Sequence, residues 1–283
     1  MTYATIQFID SHSESIKDKN LIPIDGQPLW THNSDLVQFT KNNDSQKRIV
    51  GSYICTTYDD NRLWPKNGEK KIPRARFNVD KCPLSDRVKD CANYLNEATI
   101  GIDAYILLLG NSRCFCPEAL LLAMDAYDKA SLLFPEISGL ASVTNYSPFN
   151  PKRAMSLYGG GFAKTVVQNK EEPRFSRILR IGHTEGEDRH DAEKDSWFFN
   201  GAFMIMNAKN ELPRGISEND WADNYPTPYP YLGKFVYGYR MVPMSAIELD
   251  EIWQLPMLES GYATKAFGMA AKWEEDNDGD DAF

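Results

Sequence analysis

Five consecutive apolar residues, Tyr105-Ile106-Leu107-Leu108-Leu109, leave no polar position to mark a wet face. Such a strand is buried on both sides, which belongs to a parallel sheet covered by helices rather than to an antiparallel sheet half in water. Pro117 then stands where a proline suits the first turn of a helix, ahead of the stretch Glu118 to Leu133. The strand-then-helix order recurs along the chain. Residues 5–9 read as a strand, followed by the turn Asp25-Gly26-Gln27-Pro28 and a helix over 29–40; residues 49–57 read as a strand, followed by a helix over 85–96 with Ser85 as its N-cap. Further strands are expected at 140–144, 202–206 and 235–242. The alternation predicts an α/β fold, a mainly parallel central sheet flanked by helices, with ligands bound beyond the carboxyl ends of the strands.

Neither an internal repeat nor a Pro/Gly linker divides the 283 residues, so residues 1–270 are expected to form a single domain. Residues 151–200, rich in glycine and charge, read as an arm or insertion, and 271–283 as an acidic, solvated tail. A net charge of −9 excludes a general nucleic-acid binder, which needs a cationic surface. No apolar run approaches the ~20 residues that span a bilayer, and no basic-then-apolar leader opens the chain, so a cytoplasmic location is expected. Five scattered cysteines fit reduced thiols better than a disulfide framework, and Cys114-Phe115-Cys116 lacks the second close pair of a zinc site. His183 and His190 fall in a polar stretch that reads as a surface loop. Gly159-Gly160-Gly161 has no following Lys-Ser/Thr and reads as a hinge, while the tyrosines and prolines of 224–231 suit a sugar platform or a rigid packing loop.

The segment from Phe235 to Asp250 reads as an apolar strand ending in two carboxylates, Glu248 and Asp250. At spacing i, i+2 in extended backbone both project to one face. They can seat a hard cation such as Mg²⁺, which takes one or two carboxylates and leaves its other positions to water and phosphate. The other reading of the pair is the polar face of an edge strand.

Five segments occur in a recognisable order. They are Lys19-Asn20-Leu21-Ile22-Pro23 with the Gly26-Gln27-Pro28-Leu29 turn, Thr56-Thr57-Tyr58-Asp59-Asp60, Leu107 to Leu120 with Ser112, Asn200-Gly201-Ala202, and Ser245 to Asp250. In this order, over nearly the whole length, the chain resembles the cytidylyltransferases that activate acidic sugars, the CMP-sialic acid synthetases among them, which have the nucleotide-diphospho-sugar transferase fold. The resemblance implies a nucleotidyltransferase that couples CTP to an acidic sugar and releases pyrophosphate. It implies Mg²⁺ held by Glu248 and Asp250, phosphate contact by Lys19, and nucleotide contacts by Asn20, Ser112, Asn200 and one of Arg74 or Arg76. Small-molecule partners and a homodimer formed through the 151–200 arm go with it.

The first loop departs from that pattern. Two cations of the family's glycine-rich loop fall, by ungapped counting, on Asp10 and Glu14. Two unit charges ~4 Å apart interact by ~4 kcal/mol at an effective dielectric of 20, so anions here are expected to oppose a triphosphate unless other cations compensate. Two alternatives follow: a noncatalytic relative that binds a nucleotide or a partner, and a glycosyltransferase of the same broad fold using Asp59-Asp60.

Overall fold

The computed structural model describes residues 1–11, 16–58, 63, 65–77, 84–99, 101–144, 155–157, 175–181, 196–211, 229–241, 245–250 and 252–259. Asp59-Asp60, Glu14, Cys82, both loop histidines, the triple glycine, most of the 151–200 arm and the acidic tail lie outside them. Among the described residues there are thirteen strands. They are β1 (Tyr3–Ile9), β2 (Pro23–Ile24), β3 (Gln27–Pro28), β4 (Ile49–Thr56), β5 (Lys70–Lys71), β6 (Ala104–Leu109), β7 (Ser112–Cys114), β8 (Gly139–Thr144), β9 (Met155–Leu157), β10 (Phe175–Ile181), β11 (Ser196–Asn207), β12 (Val236–Arg240) and β13 (Ala246–Glu248). The helices are α1 (Thr31–Asn43), α2 (Leu84–Ala98) and α3 (Glu118–Leu133).

Nine strands form one sheet in the order β5-β4-β1-β6-β11-β8-β12-β10-β9. Within β5 to β12 every strand runs the same way except β11, which opposes both of its neighbours. The expected mainly parallel sheet is therefore found, with one reversed strand at its centre. Every residue of β1, β6 and β8 is buried. Their side chains alternate between two cores, as a period of two requires. Ile106 and Leu108 pack with Leu36 and Val37 of α1 and Leu120, Met124 and Tyr127 of α3. Tyr105 and Leu107 pack with Val88, Cys91 and Leu95 of α2 on the opposite face.

Several local expectations shift. Helix α2 begins at Leu84, whose side chain joins the second core, so Ser85 lies inside the first turn and is not the N-cap. The segment 235–250 is two strands in two sheets. β12 belongs to the large sheet, whereas β13 pairs with β7 in a small antiparallel ribbon. The strand expected at 202–206 starts earlier, at Ser196, and its pairing with β8 slips between Phe199 and Met204. Asn200-Gly201 is thus a bulge inside a strand rather than a strand start. The Asp25-Gly26 turn joins β2 to β3, with both residues at positive φ (49° and 79°) as a tight two-residue hairpin turn needs.

Candidate functional site

The site lies where β1 and β6 end, the edge of an open α/β sheet at which ligands gather. Beyond Leu109 the chain passes Gly110, whose amide donates to the Phe8 carbonyl at 2.7 Å. A Cβ at Gly110 would stand 2.9 Å from that carbonyl oxygen and 3.0 Å from Asn20 Oδ1, so only glycine permits this approach. Asn111 follows and binds the ribbon. Its Nδ2 donates to Glu248 Oε1 and to the Leu249 carbonyl, each at 3.2 Å, and its own carbonyl accepts from the Leu249 amide at 2.7 Å. In the ribbon Ser112 is register partner to Glu248. The β11 bulge closes over this pair, for a Cβ on Gly201, at φ +72°, would lie 2.9 Å from Glu248 Cβ and 3.3 Å from Ser112 Cβ.

From the other side, a short 3-10 turn over Lys19–Leu21 brings Lys19 Nζ to 3.5 Å from Asp250 Oδ1. Asn20 beside it donates from Nδ2 to the Asp10 carbonyl at 2.6 Å. Lys19, Asn20, Ser112, Asn200, Glu248 and Asp250 thus meet through direct contacts or single intermediaries. They divide by burial. Asn20, Ser112 and Asn200 are buried almost completely, and their polar atoms serve the frame apart from Asn20 Oδ1, which has no hydrogen-bond partner among the described residues. Ser112 Oγ donates to the Leu109 carbonyl at 2.8 Å, and Asn200 Oδ1 accepts from the Ala202 amide at 3.2 Å inside the bulge. Lys19, Glu248 and Asp250 are partly exposed. Of the two arginines, Arg76 spends its charge on Glu97 at 3.7 Å and stacks over Tyr94, against the outer part of α2. Arg74 is half-buried in the same short turn.

Sequence reasoning missed Asn111 and Arg87. Asn111 is signalled only as a polar residue straight after an apolar strand. Arg87 carries a clearer mark, since it falls four and eight residues before Cys91 and Leu95, in register with the apolar stripe of α2. Its side chain is 6% exposed and its Nη2 lies 2.6 Å from Asp10 Oδ2. Asp10 Oδ1 also accepts from Thr57 Oγ1 at 2.9 Å. The Asp10 carboxylate is therefore neutralised by Arg87 of α2. Buried Tyr231 feels both ends of the site: burial pushes its phenol up, Glu248 adds to the rise and Arg87 opposes it.

Two carboxylates at one strand end suit a hard cation that brings most of its own shell. Asp250 already attracts the Lys19 ammonium. Among the described residues no cluster of three or more His, Cys, Asp or Glu side chains forms a metal cage. Cys114 donates to the Cys116 carbonyl at 3.3 Å, and desolvation pushes its thiol up to about 12 and that of Cys116 upward, so thiolate ligation is disfavoured there. No helix among the described residues is long and apolar enough to cross a membrane.

No protein-family model matches the chain, and no curated protein matches it. Solved structures do. A CMP:2-keto-3-deoxy-manno-octonic acid synthetase complexed with CTP superposes with a TM-score of 0.61 at 14% identity, over 94% of this chain and 100% of the other. A putative glucose-1-phosphate thymidylyltransferase from Bacillus anthracis gives 0.58 at 13% identity, over 93% and 96%. An apo UDP-glucose pyrophosphorylase gives 0.58 at 12% identity, over 94% and 100%. The chain has the fold of these nucleotidyltransferases.

Proposed function

We propose that this chain is a nucleotidyltransferase that joins CTP to an acidic sugar and releases pyrophosphate. The observation that carries the reading is the meeting of Lys19, Glu248 and Asp250, on a buried frame of Asn20, Asn111, Ser112 and Asn200, at the carboxyl edge of β1 and β6. The shared fold supports it, because three nucleotidyltransferases of different sugars superpose over nearly their whole length. The choice of CTP and an acidic sugar rests on the resemblance of the segments around these residues. A cytoplasmic location and a dimer through the 151–200 arm belong to the same reading.

In the reaction, an acceptor hydroxyl oxygen of the sugar attacks the α-phosphate. A new O–P bond forms, the bond to the bridging oxygen breaks, pyrophosphate departs and the hydroxyl proton is lost to solvent. Lys19 sets an ammonium against the phosphates, and one of Arg74 and Arg76 contacts the nucleotide. Asn111 and the Gly201 bulge hold the Glu248 carboxylate in one orientation. When bound at Glu248 and Asp250, Mg²⁺ supplies a Lewis-acid charge to the phosphate oxygens.

Pyrophosphate release from each of the four ribonucleoside triphosphates with Mg²⁺, in the presence of 2-keto acid sugars or neutral sugars, tests the reading. Release only with CTP and an acidic sugar is expected. Tight CTP binding without release under any pairing would instead favour the noncatalytic alternative, which the anionic Asp10 supports. The glycosyltransferase alternative rests on Asp59-Asp60, outside the described residues.

A further inference from the structure

Arg87 is 5% exposed, yet its Nε and Nη1 have no hydrogen-bond partner among the described residues. Nη2 alone is engaged, with Asp10 Oδ2 at 2.6 Å. A buried guanidinium carries five donors, and leaving several of them unmet is costly unless something else meets them. The surroundings say what that is. Arg87 lies in the first turn of α2 against Asp10, the residue that follows β1, at the sheet edge where Lys19 and Glu248 also stand. The partly exposed group of the pair is Asp10, at 31%, with the arginine behind it. The loop that follows β1 carries Lys17 and Lys19, and Arg87 adds a buried guanidinium behind its first residue.

We propose that Arg87 is an oxyanion-binding residue of this site, which shares its guanidinium between Asp10 and an anionic oxygen of the ligand. This rests on the nucleotidyltransferase reading for the identity of the ligand, though not for the existence of the subsite. Two ligand groups have the required chemistry: the triphosphate tail of the nucleotide and the carboxylate of an acidic sugar. Asp10 then acts as a positioning residue that keeps the guanidinium in place while the site is empty.

The test uses the double variant Asp10→Asn, Arg87→Gln, which removes both charges but retains a neutral hydrogen-bonding pair, with circular dichroism as the check on folding. Arg87→Lys, which keeps the charge but not the planar donor set, serves as the second variant. Calorimetry is run with CTP, CMP, inorganic pyrophosphate, and an acidic sugar beside its methyl ester. Loss of one charge-assisted contact weakens binding roughly 10- to 100-fold. A loss confined to CTP and pyrophosphate, with CMP unchanged, assigns Arg87 to the triphosphate tail. A loss confined to the acidic sugar, with the ester unchanged, assigns it to the carboxylate. Wild-type affinities retained by both variants overturn the proposal and leave the nucleotidyltransferase reading standing. Pyrophosphate binding that depends on Arg87 in a protein that turns over no nucleotide upholds the subsite and overturns that reading. A wild-type protein that binds none of the probes overturns both.

Discussion

Replacing Asp10 by arginine would restore a cation to the first loop, and charge counting alone predicts tighter triphosphate binding. The structure reverses that expectation, because an arginine there would face the buried Arg87 guanidinium. The existing pair is unevenly buried, 6% exposed on the arginine and 31% on the aspartate, with 2.6 Å between Nη2 and Oδ2. Removing one partner of a fully buried pair costs about 3–5 kcal/mol, whereas exposed pairs are worth about 0–1. The half-open aspartate puts Asp10→Asn between these limits, at about 2 kcal/mol, or roughly 3–4 °C in Tm for a chain of this size. Asp10→Arg adds like-charge repulsion and should fall further. Urea denaturation of Asp10→Asn, Arg87→Gln and their combination, closed as a double-mutant cycle, should show a coupling of about 1–2 kcal/mol. A coupling near zero, or an Asp10→Arg protein as stable as the wild type, would refute the ion pair and the neutralisation built on it.

Three further outcomes are expected. Gly201→Ala forces a side chain onto a residue at φ +72° with its Cβ 2.9 Å from Glu248 Cβ; it should cost about 1–2 kcal/mol and weaken Mg²⁺-nucleotide affinity, and calorimetry showing unchanged affinity would separate the bulge from the site. Asp250→Asn removes charge while keeping shape, so Mg²⁺-dependent CTP binding should fall while Mg²⁺ alone binds weakly to either protein, since a two-carboxylate set holds the metal mainly with nucleotide phosphate; equal affinities measured by titration would remove the pair from the metal role. Asp44 is buried against Arg48, which also meets Asp125 and Asp128; burial raises the Asp44 carboxyl, but the hydrogen bonds from Arg48 outweigh it and hold the pKa below the usual value. The stability that Asp44 contributes is therefore present above about pH 4 and lost as pH falls through the lowered pKa. Arg48→Met should destabilise by about 3–5 kcal/mol at neutral pH and flatten the acid limb; parallel stability profiles for the two proteins below pH 4 would contradict this.

The elements that sequence reasoning located best are those whose own side chains determine them. The run 105–109 is apolar throughout because both faces of its strand are covered, 140–144 is equally buried with only the small polar Ser142 and Thr144 among its residues, and α3 spans Glu118–Leu133 as its apolar repeat and leading proline require. The reversed direction of β11 was not legible, since a period of two reads the same in either direction. Nor was the break between β12 and β13, because apolar residues before Glu248 serve two different sheets. For the site, local motifs such as Lys19-Asn20 and Asn200-Gly201 stood out, yet three of the eight residues chosen, Asn20, Ser112 and Asn200, belong to the buried frame. Arg87 escaped because its meaning comes from Asp10, 77 positions away. The misplaced charge within the α2 stripe was the one local trace of that pairing.

The most direct test of the account is product analysis. Wild-type protein incubated with CTP, Mg²⁺ and an acidic sugar should yield, by mass spectrometry, the sugar bearing one cytidine monophosphate, with one pyrophosphate released for each product. The Glu248→Gln, Asp250→Asn double variant should fold and bind sugar yet form almost none. Adduct formed equally by the double variant, or no adduct from a wild-type protein that binds both substrates, would contradict the assignment of nucleotidyl transfer to this cleft.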